Sequence, residues 1–438
     1  MPEEQRCDVI VVGAGPAGSA AAHVLAKAGL EVVVFERGEY PGAKNLFGGI
    51  LYTTVLNQLI PDFWQTAPLE RQVTRRRFSL LGRDGEVAGE YDCKAFSKPP
   101  YNHSYTVSRA KFDRWFAERA EEAGAFIVPE TVVDDLIRKD GKVVGVSARR
   151  EDGEFYADVV VVAEGASSFL AEKAGLRKAF DPNRMQLAVK EVLALPAAVV
   201  EDRFNLEADE GAAVSYLGGD AVLGMFGGAF IYTNRESLSV GVACSLHDLP
   251  ARKLTPNEVL DHFKSHPSVR PLLRGTETIE YSGHMIPEFG RETMPSIVAD
   301  GVIFVGDAAG LVNISPFYQE GTNLAMASGV MAAETILEAR RAGAPMSAAT
   351  LQAYVRRLEQ SFVMKDVQKY TRLPELAART PQFFNRYPYL LCDLAREFFT
   401  VDDRPKEEIE KGLIRKLRQE VGLLPLARDL WRMWRAMR

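Results

Sequence analysis

Residues 8–36 constrain this chain more than any other stretch. They read Asp8-Val-Ile-Val-Val-Gly-Ala-Gly-Pro-Ala-Gly-Ser-Ala-Ala-Ala-His-Val-Leu-Ala-Lys-Ala-Gly-Leu-Glu-Val-Val-Val-Phe-Glu36. Val9 to Val12 is an unbroken apolar run, as expected of a parallel strand buried on both faces. Gly13, Gly15 and Gly18 then form G-x-G-x-x-G. Gly13 allows the tight turn out of the strand, Gly15 lets a pyrophosphate reach the backbone, and Gly18 lets the following helix lie close to the sheet. Ser19 to Lys27 is a good helix sequence, whose free N–H groups and dipole favour a diphosphate at its start. Gly29 ends that helix, and Val32 to Phe35 is a second buried strand. Glu36 closes it, placed to accept hydrogen bonds from ribose hydroxyls. A lone G-x-G-x-x-G is a weak signal, but strand, glycines, helix and acid in this order are the context it requires. An acid at position 36 argues against a 2′-phosphate and leaves FAD or NAD.

The whole chain sets bounds on partners. Its 438 residues suit two or three domains. The formal net charge of −6 excludes bulk nucleic-acid binding. The polar start Met-Pro-Glu-Glu-Gln-Arg runs straight into the first strand, which is expected to leave no room for a signal peptide. No apolar run reaches 18 residues, so no transmembrane helix is expected. Cys7, Cys93, Cys244 and Cys392 lie far apart and form no C-x-x-C pair, so no metal site is expected. The plain reading is reduced thiols in a cytosolic protein.

Past Glu36, Arg37 opens a loop with three breakers, Gly38, Pro41 and Gly42, and Gly48-Gly49 permit a second close backbone approach. This loop is expected to lie beside the cofactor. Val73 to Tyr91 reads as a hairpin around Gly82-Arg-Asp-Gly85. Ser108 to Gly124 reads as a helix with Phe112, Trp115, Phe116 and Ala120 on one face. Arg109 falls in its first turn, where the dipole disfavours a cation, so pairing with an anionic ligand is expected. Asp158 to Ser168 is another buried strand, ending in a glycine turn at Gly165, where open sheets bind ligands. From Met185 to about Tyr281, short β-rich runs alternate with glycine turns, the texture of a mostly antiparallel sheet. Gly301 to Gly310 returns to the first domain, with Gly306-Asp307 at the strand end, and Ser315 to Asn323 opens a long helix. The Asp307 carboxylate would repel phosphate but can bind a polyol chain, so a ribityl contact is expected, which favours FAD over NAD. From Thr350 onward the chain reads as helical.

These pieces resemble the glutathione-reductase-type FAD fold of the hydroxylase and geranylgeranyl-reductase branch. Residues 282–295 and Tyr318-Gln-Glu-Gly-Thr-Asn-Leu-Ala-Met-Ala-Ser-Gly329 are similar to the FixC-type flavoproteins, relatives of electron-transfer-flavoprotein:quinone oxidoreductase. The resemblance implies an α/β, Rossmann-like FAD-binding domain over residues 1–72, 93–180 and 285–345. It implies an antiparallel β quinone or substrate domain over 73–92 and 181–284, and a helical C-terminal region over 346–438. It implies an FAD-dependent oxidoreductase that takes electrons from an electron-transfer flavoprotein and passes them to membrane quinone, the flavin itself carrying the chemistry. A multi-subunit, electron-bifurcating complex with a small ferredoxin-like iron–sulfur subunit is implied as well, peripheral on the inner face of the cell membrane. A geranylgeranyl-type reductase acting on prenyl double bonds is the alternative. FAD contacts are implied at Gly13, Gly15, Pro16, Ala17, Gly18, Glu36, Arg37, Lys44, Asn45, Leu46, Gly48, Gly49, Arg109, Val133, Gly165, Gly306, Asp307, Gly321, Thr322 and Asn323. Ile50 stands where the family motif usually has a basic residue.

Two C-terminal stretches bear on membrane contact. Residues 381–391 are rich in aromatics, which suit either a lipid-facing patch or core packing. From Gly412 to Arg438 there are seven basic residues and two acids, a net of +5. Leu423, Ala427, Leu430, Trp434 and Met437 form one apolar stripe at helical spacing, with Trp431 at its edge. Three roles suit such a helix: lying in a membrane interface, packing its stripe on its own domain, or docking to an acidic subunit. Larger relatives hold a four-cysteine iron–sulfur segment at the C-terminus, where this chain has Cys392 alone. Anaerobic purification followed by iron analysis is therefore expected to find no stoichiometric iron in this chain.

Overall fold

The computed structural model describes residues 6–44, 49–166, 168–176, 185–287, 296–314, 319–370 and 372–436. The chain divides into two compact units. The first comprises Met1–Glu70, Lys98–Phe180 and Arg291–Gln368; the second comprises Arg71–Ser97, Asp181–Gly290 and Lys369–Arg438. The C-terminal helical stretch is thus shared between them.

The first unit is built on a sheet in the order Val298–Ala299, Val302–Phe304, Glu154–Val162, Arg6–Val12, Val32–Phe35, Phe126–Val128. All neighbouring pairs on this path are parallel except the first. Val9, Ile10 and Val11 are fully buried, as are Val159 to Val162 beside them. Strands Lys142–Ala148 and Val133–Lys139 extend the sheet antiparallel from Glu154–Val162. The helix Pro16–Lys27 lies against the helix Thr322–Arg341. Small residues allow this: a Cβ added to Gly329 would lie 2.2 Å from the Ala17 carbonyl oxygen and 3.2 Å from the Ala21 nitrogen. Behind it, the buried Tyr354 hydroxyl donates to the Phe304 carbonyl at 3.1 Å and fixes the helix Ala348–Gln360 on the sheet.

The second unit carries strands in the order Glu277–Pro287, Met185–Ala194, Ser237–Ser245, Gly227–Thr233, Glu210–Leu217, Leu69–Leu81, with Glu86–Asp92 paired to the last. These pairs are antiparallel apart from Glu210–Leu217 with Leu69–Leu81. A capping box, Thr255 with Glu258, starts the helix Pro256–Ser265, which buries Val259, Leu260 and Phe263. Its His262 Nε2 meets Asp220 Oδ2 at 2.8 Å, and the Tyr389 hydroxyl donates to Asp220 Oδ1 at 3.2 Å. That ties the helix Tyr387–Phe399 to the unit.

Phe384 sits edge-to-face on Phe226, ring centroids 4.9 Å apart, and crowds Gly218, where a Cβ would come within 2.8 Å of its Cα. Of the two roles open to the 381–391 aromatics, Phe384 takes packing. The final helix, Leu423–Ala436, does the reverse of burying its stripe. Leu423, Leu430, Trp431 and Trp434 are all about half exposed, while Asp429 is buried. Packing of the stripe on its own domain is thus corrected: Tyr387 draws Asp429 inward through a 2.7 Å hydrogen bond, and the stripe turns outward. Met437 lies outside the described residues. Among those described, no helix is long and apolar enough to cross a membrane.

Gly329 offers a test with two opposing signs. Helix propensity alone would make Gly329→Ala stabilising by about 1 kcal/mol. The clash with the Ala17 carbonyl is expected to win, giving a net loss of about 1–3 kcal/mol in denaturant melts of the holoprotein. An unchanged or raised midpoint would show that the two helices can separate freely.

Candidate functional site

The three fingerprint glycines have different reasons to be glycine. Gly13 has φ +99°, and a Cβ there would lie 2.5 Å from the Ala163 carbonyl oxygen. A Cβ at Gly18 would lie 1.9 Å from the Gly13 carbonyl oxygen. Both are therefore demanded by the protein's own packing. Gly15 is not: its φ is −75°, and an added Cβ meets no protein atom within 4 Å. Close approach of a ligand is the remaining reason for glycine at 15, as a diphosphate at a helix start requires. Pro16 follows at the first helical position, where its missing N–H costs nothing.

Glu36 ties this turn to the next. Its Oε2 accepts from the Ala14 N–H at 3.0 Å and its Oε1 from the Gly38 N–H at 2.7 Å. Each oxygen retains acceptor capacity for a hydroxyl. The Glu36 carbonyl accepts from Thr131 N at 2.8 Å and the Gly38 carbonyl from Glu130 N at 2.8 Å. Those bonds bring Val133, the first residue of its strand, to the same edge. Gly165 has φ +74° and open space at its Cβ position, just after the Ala163 carbonyl that abuts Gly13.

The loop after Glu36 folds back on the helix Arg109–Glu122. A Cβ at Gly42 would lie 3.0 Å from both the Arg109 carbonyl oxygen and Asp113 Cβ. Arg37 and Lys44 stand exposed at the rim, and Gly49 begins a strand paired to Val107. Asn45, Leu46 and Gly48 lie outside the described residues. Arg109 is not left for a ligand alone. Its Nε and one terminal nitrogen donate to the two oxygens of buried Asp113 at 2.7 and 2.8 Å. Burial pulls the Arg109 guanidinium down, but Asp113, with help from Asp307, holds it above its usual range. Burial raises the Asp113 carboxyl, against the pull of Arg109.

Gly306 and Asp307 begin a short 3-10 turn wedged between two helices. A Cβ at Gly306 would lie 3.1 Å from Ala17 Cβ and 3.3 Å from Ala325 Cβ. The Gly306 N–H donates to the buried Ser328 hydroxyl at 2.9 Å. Gly321 caps the long helix without a side chain, and Thr322 and Asn323 form its first turn. Asn323 donates to Glu320 Oε1 at 3.1 Å, and Asn313 donates to Glu320 Oε2 at 3.2 Å. Because Glu320 only accepts, it sets which way the Asn323 amide points. The Asn323 Oδ1 is then a buried acceptor without a protein partner. Such an atom fits a ligand N–H or hydroxyl.

Of the described expected residues, Gly13, Glu36, Gly165, Gly306 and Asp307 follow the ends of parallel strands, and Pro16, Arg109 and Gly321 to Asn323 lie at the starts of three helices; Gly49 and Val133 begin antiparallel strands. Reading the sequence missed Asp113, Glu320 and Gly329. The i, i+4 spacing from Arg109 was the available sign of Asp113. Nothing local marks Gly329, whose reason is a helix 312 residues earlier in the chain.

Comparison with known proteins agrees with this geometry. Residues 6–361 match the FAD binding domain family, and residues 373–438 match the ETF-QO/FixC family C-terminal domain. The chain is 44% identical to the protein FixC of Azotobacter vinelandii, over 99% of both chains. It is 45% identical to FixC of Bradyrhizobium diazoefficiens, over 99% of this chain and 100% of that one. The chain belongs to the FixC family. It is an FAD-binding oxidoreductase, and its cofactor is FAD. A further relative, at 41% identity over 97% of this chain and 98% of its own, is the probable electron transfer flavoprotein-quinone oxidoreductase YdiS of Escherichia coli K12. Among solved structures, a geranylgeranyl bacteriochlorophyll reductase-like protein of Thermoplasma acidophilum has a TM-score of 0.73 at 21% identity. That match covers 98% of this chain and 99% of the other and shows a shared fold.

The Cβ of Gly15→Val meets no protein atom within 4 Å and the backbone stays allowed, so the variant is expected to fold and purify without yellow colour. Glu36→Ala removes two charge-assisted bonds and is expected to weaken FAD by about 1.5–3 kcal/mol, read by flavin fluorescence on dilution. If both variants keep full colour and affinity, the glycine turn and Glu36 do not hold the cofactor.

Proposed function

We propose that this chain is the flavoprotein that passes electrons from an electron-transfer flavoprotein to membrane quinone. The supporting observation is full-length identity of 41–45% to FixC proteins and a named quinone oxidoreductase, including the family-specific C-terminal segment 373–438. When bound, FAD supplies the electron transfer between donor and acceptor.

The chain's residues then have binding and positioning roles. The 13–18 turn receives the diphosphate through Gly15, Pro16, Ala17 and Gly18, aided by the dipole of the helix Pro16–Lys27. Glu36 accepts ribose hydroxyls, with Arg37 and Val133 flanking. Asp307 accepts a hydroxyl of the ribityl chain. Gly321, Thr322 and Asn323 present a helix start, which favours negative charge, and one oriented amide oxygen. Lys44, Gly49 and Arg109 flank the cofactor in this reading. The Arg109–Asp113 pair is neutral as a unit, so its role is to fix the helix face on which Gly42 packs rather than to attract an anion.

A separate ferredoxin-like iron–sulfur subunit completes the path in this reading. Within this chain, Cys392 is buried and free, with its Sγ directed at the Leu80 carbonyl. Peripheral attachment on the inner face of the membrane follows from a lipid-soluble acceptor.

The fold shared with the geranylgeranyl reductase-like protein makes prenyl reduction the reading to test against. Dithionite-reduced protein is expected to be reoxidised by a short-chain quinone within seconds and to leave geranylgeranyl lipid unreduced. Saturation of the prenyl double bonds without quinone reduction would replace the proposal with the reductase activity.

A further inference from the structure

The second unit carries a cavity of about 470 Å³, a size within the range of small-molecule clefts. All its walls come from residues 181–290, so it belongs to that unit alone. Two neighbouring strands make its floor. In the ladder of Met185–Ala194 with Glu277–Pro287, Glu191 stands opposite Tyr281 and Leu193 opposite Thr278. A β-bulge at Val192/Leu193 separates these two pairs and leaves Ile279 as the extra residue. Without it, Leu193 would face Ile279. With it, Thr278 lines the cavity beside Leu193, and Ile279 is 62% exposed. The bulge thus puts a hydroxyl where an isoleucine would have stood.

The polar groups around this cavity divide into those already engaged and those not. Lys264, in the last turn of the helix Pro256–Ser265, gives its ammonium to Glu191 and Asp261, both at 2.9 Å. The Thr276 hydroxyl donates to the Leu273 carbonyl at 2.8 Å, which leaves its oxygen as an acceptor. Arg270 and Arg274 differ. Arg270 begins the 3-10 turn Arg270–Leu273 and Arg274 follows it. Both line the cavity, and among the described residues neither guanidinium has a partner. Their backbone is nevertheless fixed, because Val269 is fully buried and Leu272 and Leu273 pack on the core of the unit. With Lys264 and Glu191 neutralising each other, the two arginines set the charge of the cavity.

We propose that this cavity binds a phosphate monoester with a hydroxylated body, the chemistry shared by sugar phosphates and nucleotides. The phosphate dianion takes the two guanidiniums, whose planar forks match its oxygens. A single carboxylate would satisfy one fork and leave the other. Hydroxyls of the body donate to Glu191 and Thr276, which retain acceptor capacity. Leu193 and Leu273 supply apolar surface for the C–H face of a sugar or for a base. None of the residues assigned to FAD lines the cavity, so the site is open to test in the holoprotein.

The experiment is calorimetric titration of the full-length, FAD-saturated protein with ribose 5-phosphate, AMP and inorganic phosphate. At least one ester is expected to bind more tightly than inorganic phosphate, and added salt to weaken it. Ribose 5-phosphate ahead of AMP marks a sugar-phosphate site; AMP ahead marks a nucleotide site. Arg270→Gln and Arg274→Gln change exposed side chains, so FAD content and the melting midpoint should hold. Each should weaken the preferred ester at least about tenfold. Thr278→Val should weaken the ester and leave inorganic phosphate unaffected. The proposal is overturned if no ester binds, if inorganic phosphate binds as tightly as both esters, or if binding survives both arginine substitutions. Loss of FAD or of folding in the arginine variants also overturns it, because the guanidiniums would then be structural.

Discussion

The contact on which the first unit depends is the near-touch of two backbones where Gly329 meets the Ala17 carbonyl. It lets the helices Pro16–Lys27 and Thr322–Arg341 pack with no room for a side chain between their backbones at this point. Gly306 is then caught between Ala17 and Ala325, which brings a strand end, an aspartate and two helix starts to one place. Larger side chains at these positions would separate the 13–18 turn from the 321–323 turn. The site is thus a consequence of close packing between segments some 300 residues apart in the chain.

Electrostatics then organises what packing has assembled. Glu36 spends its carboxylate on two N–H groups from different turns, and so serves the protein before it serves any ligand. Glu320 does the same with Asn313 and Asn323, and its acceptor-only chemistry decides that the Asn323 oxygen is the atom left over. Arg109 and Asp113 neutralise each other in a buried bidentate pair. Acidic groups thus set the geometry at three corners of the site. This differs from a site that relies on surplus positive charge to hold its phosphates, and suits one that relies on backbone N–H groups and helix ends.

The second unit shows the same principle with a different outcome. Phe384 is drawn into packing against Phe226, and Cys392 against Gly82, so the middle of the C-terminal region belongs to the fold. The last helix is held by a polar contact instead. Its buried carboxylate, Asp429, faces inward onto Tyr387, while five large apolar side chains of the same helix face outward.

Local order in the sequence determined the fingerprint: strand, glycines, helix and acid are adjacent, and each choice is made by neighbours within a few residues. It also determined the strand textures of both units, because burial on one or both faces is written as a period along the chain. The family likeness was readable for the same reason, in contiguous motifs. Tertiary structure alone decided why each glycine is a glycine, since Gly13 answers to Ala163 and Gly329 to Ala17. It alone gave Arg109 to Asp113 and set the Asn323 amide through Glu320. It alone chose the outward face of the final helix: periodicity marks an apolar stripe but not its direction, which depends on Tyr387, 42 residues away from Asp429.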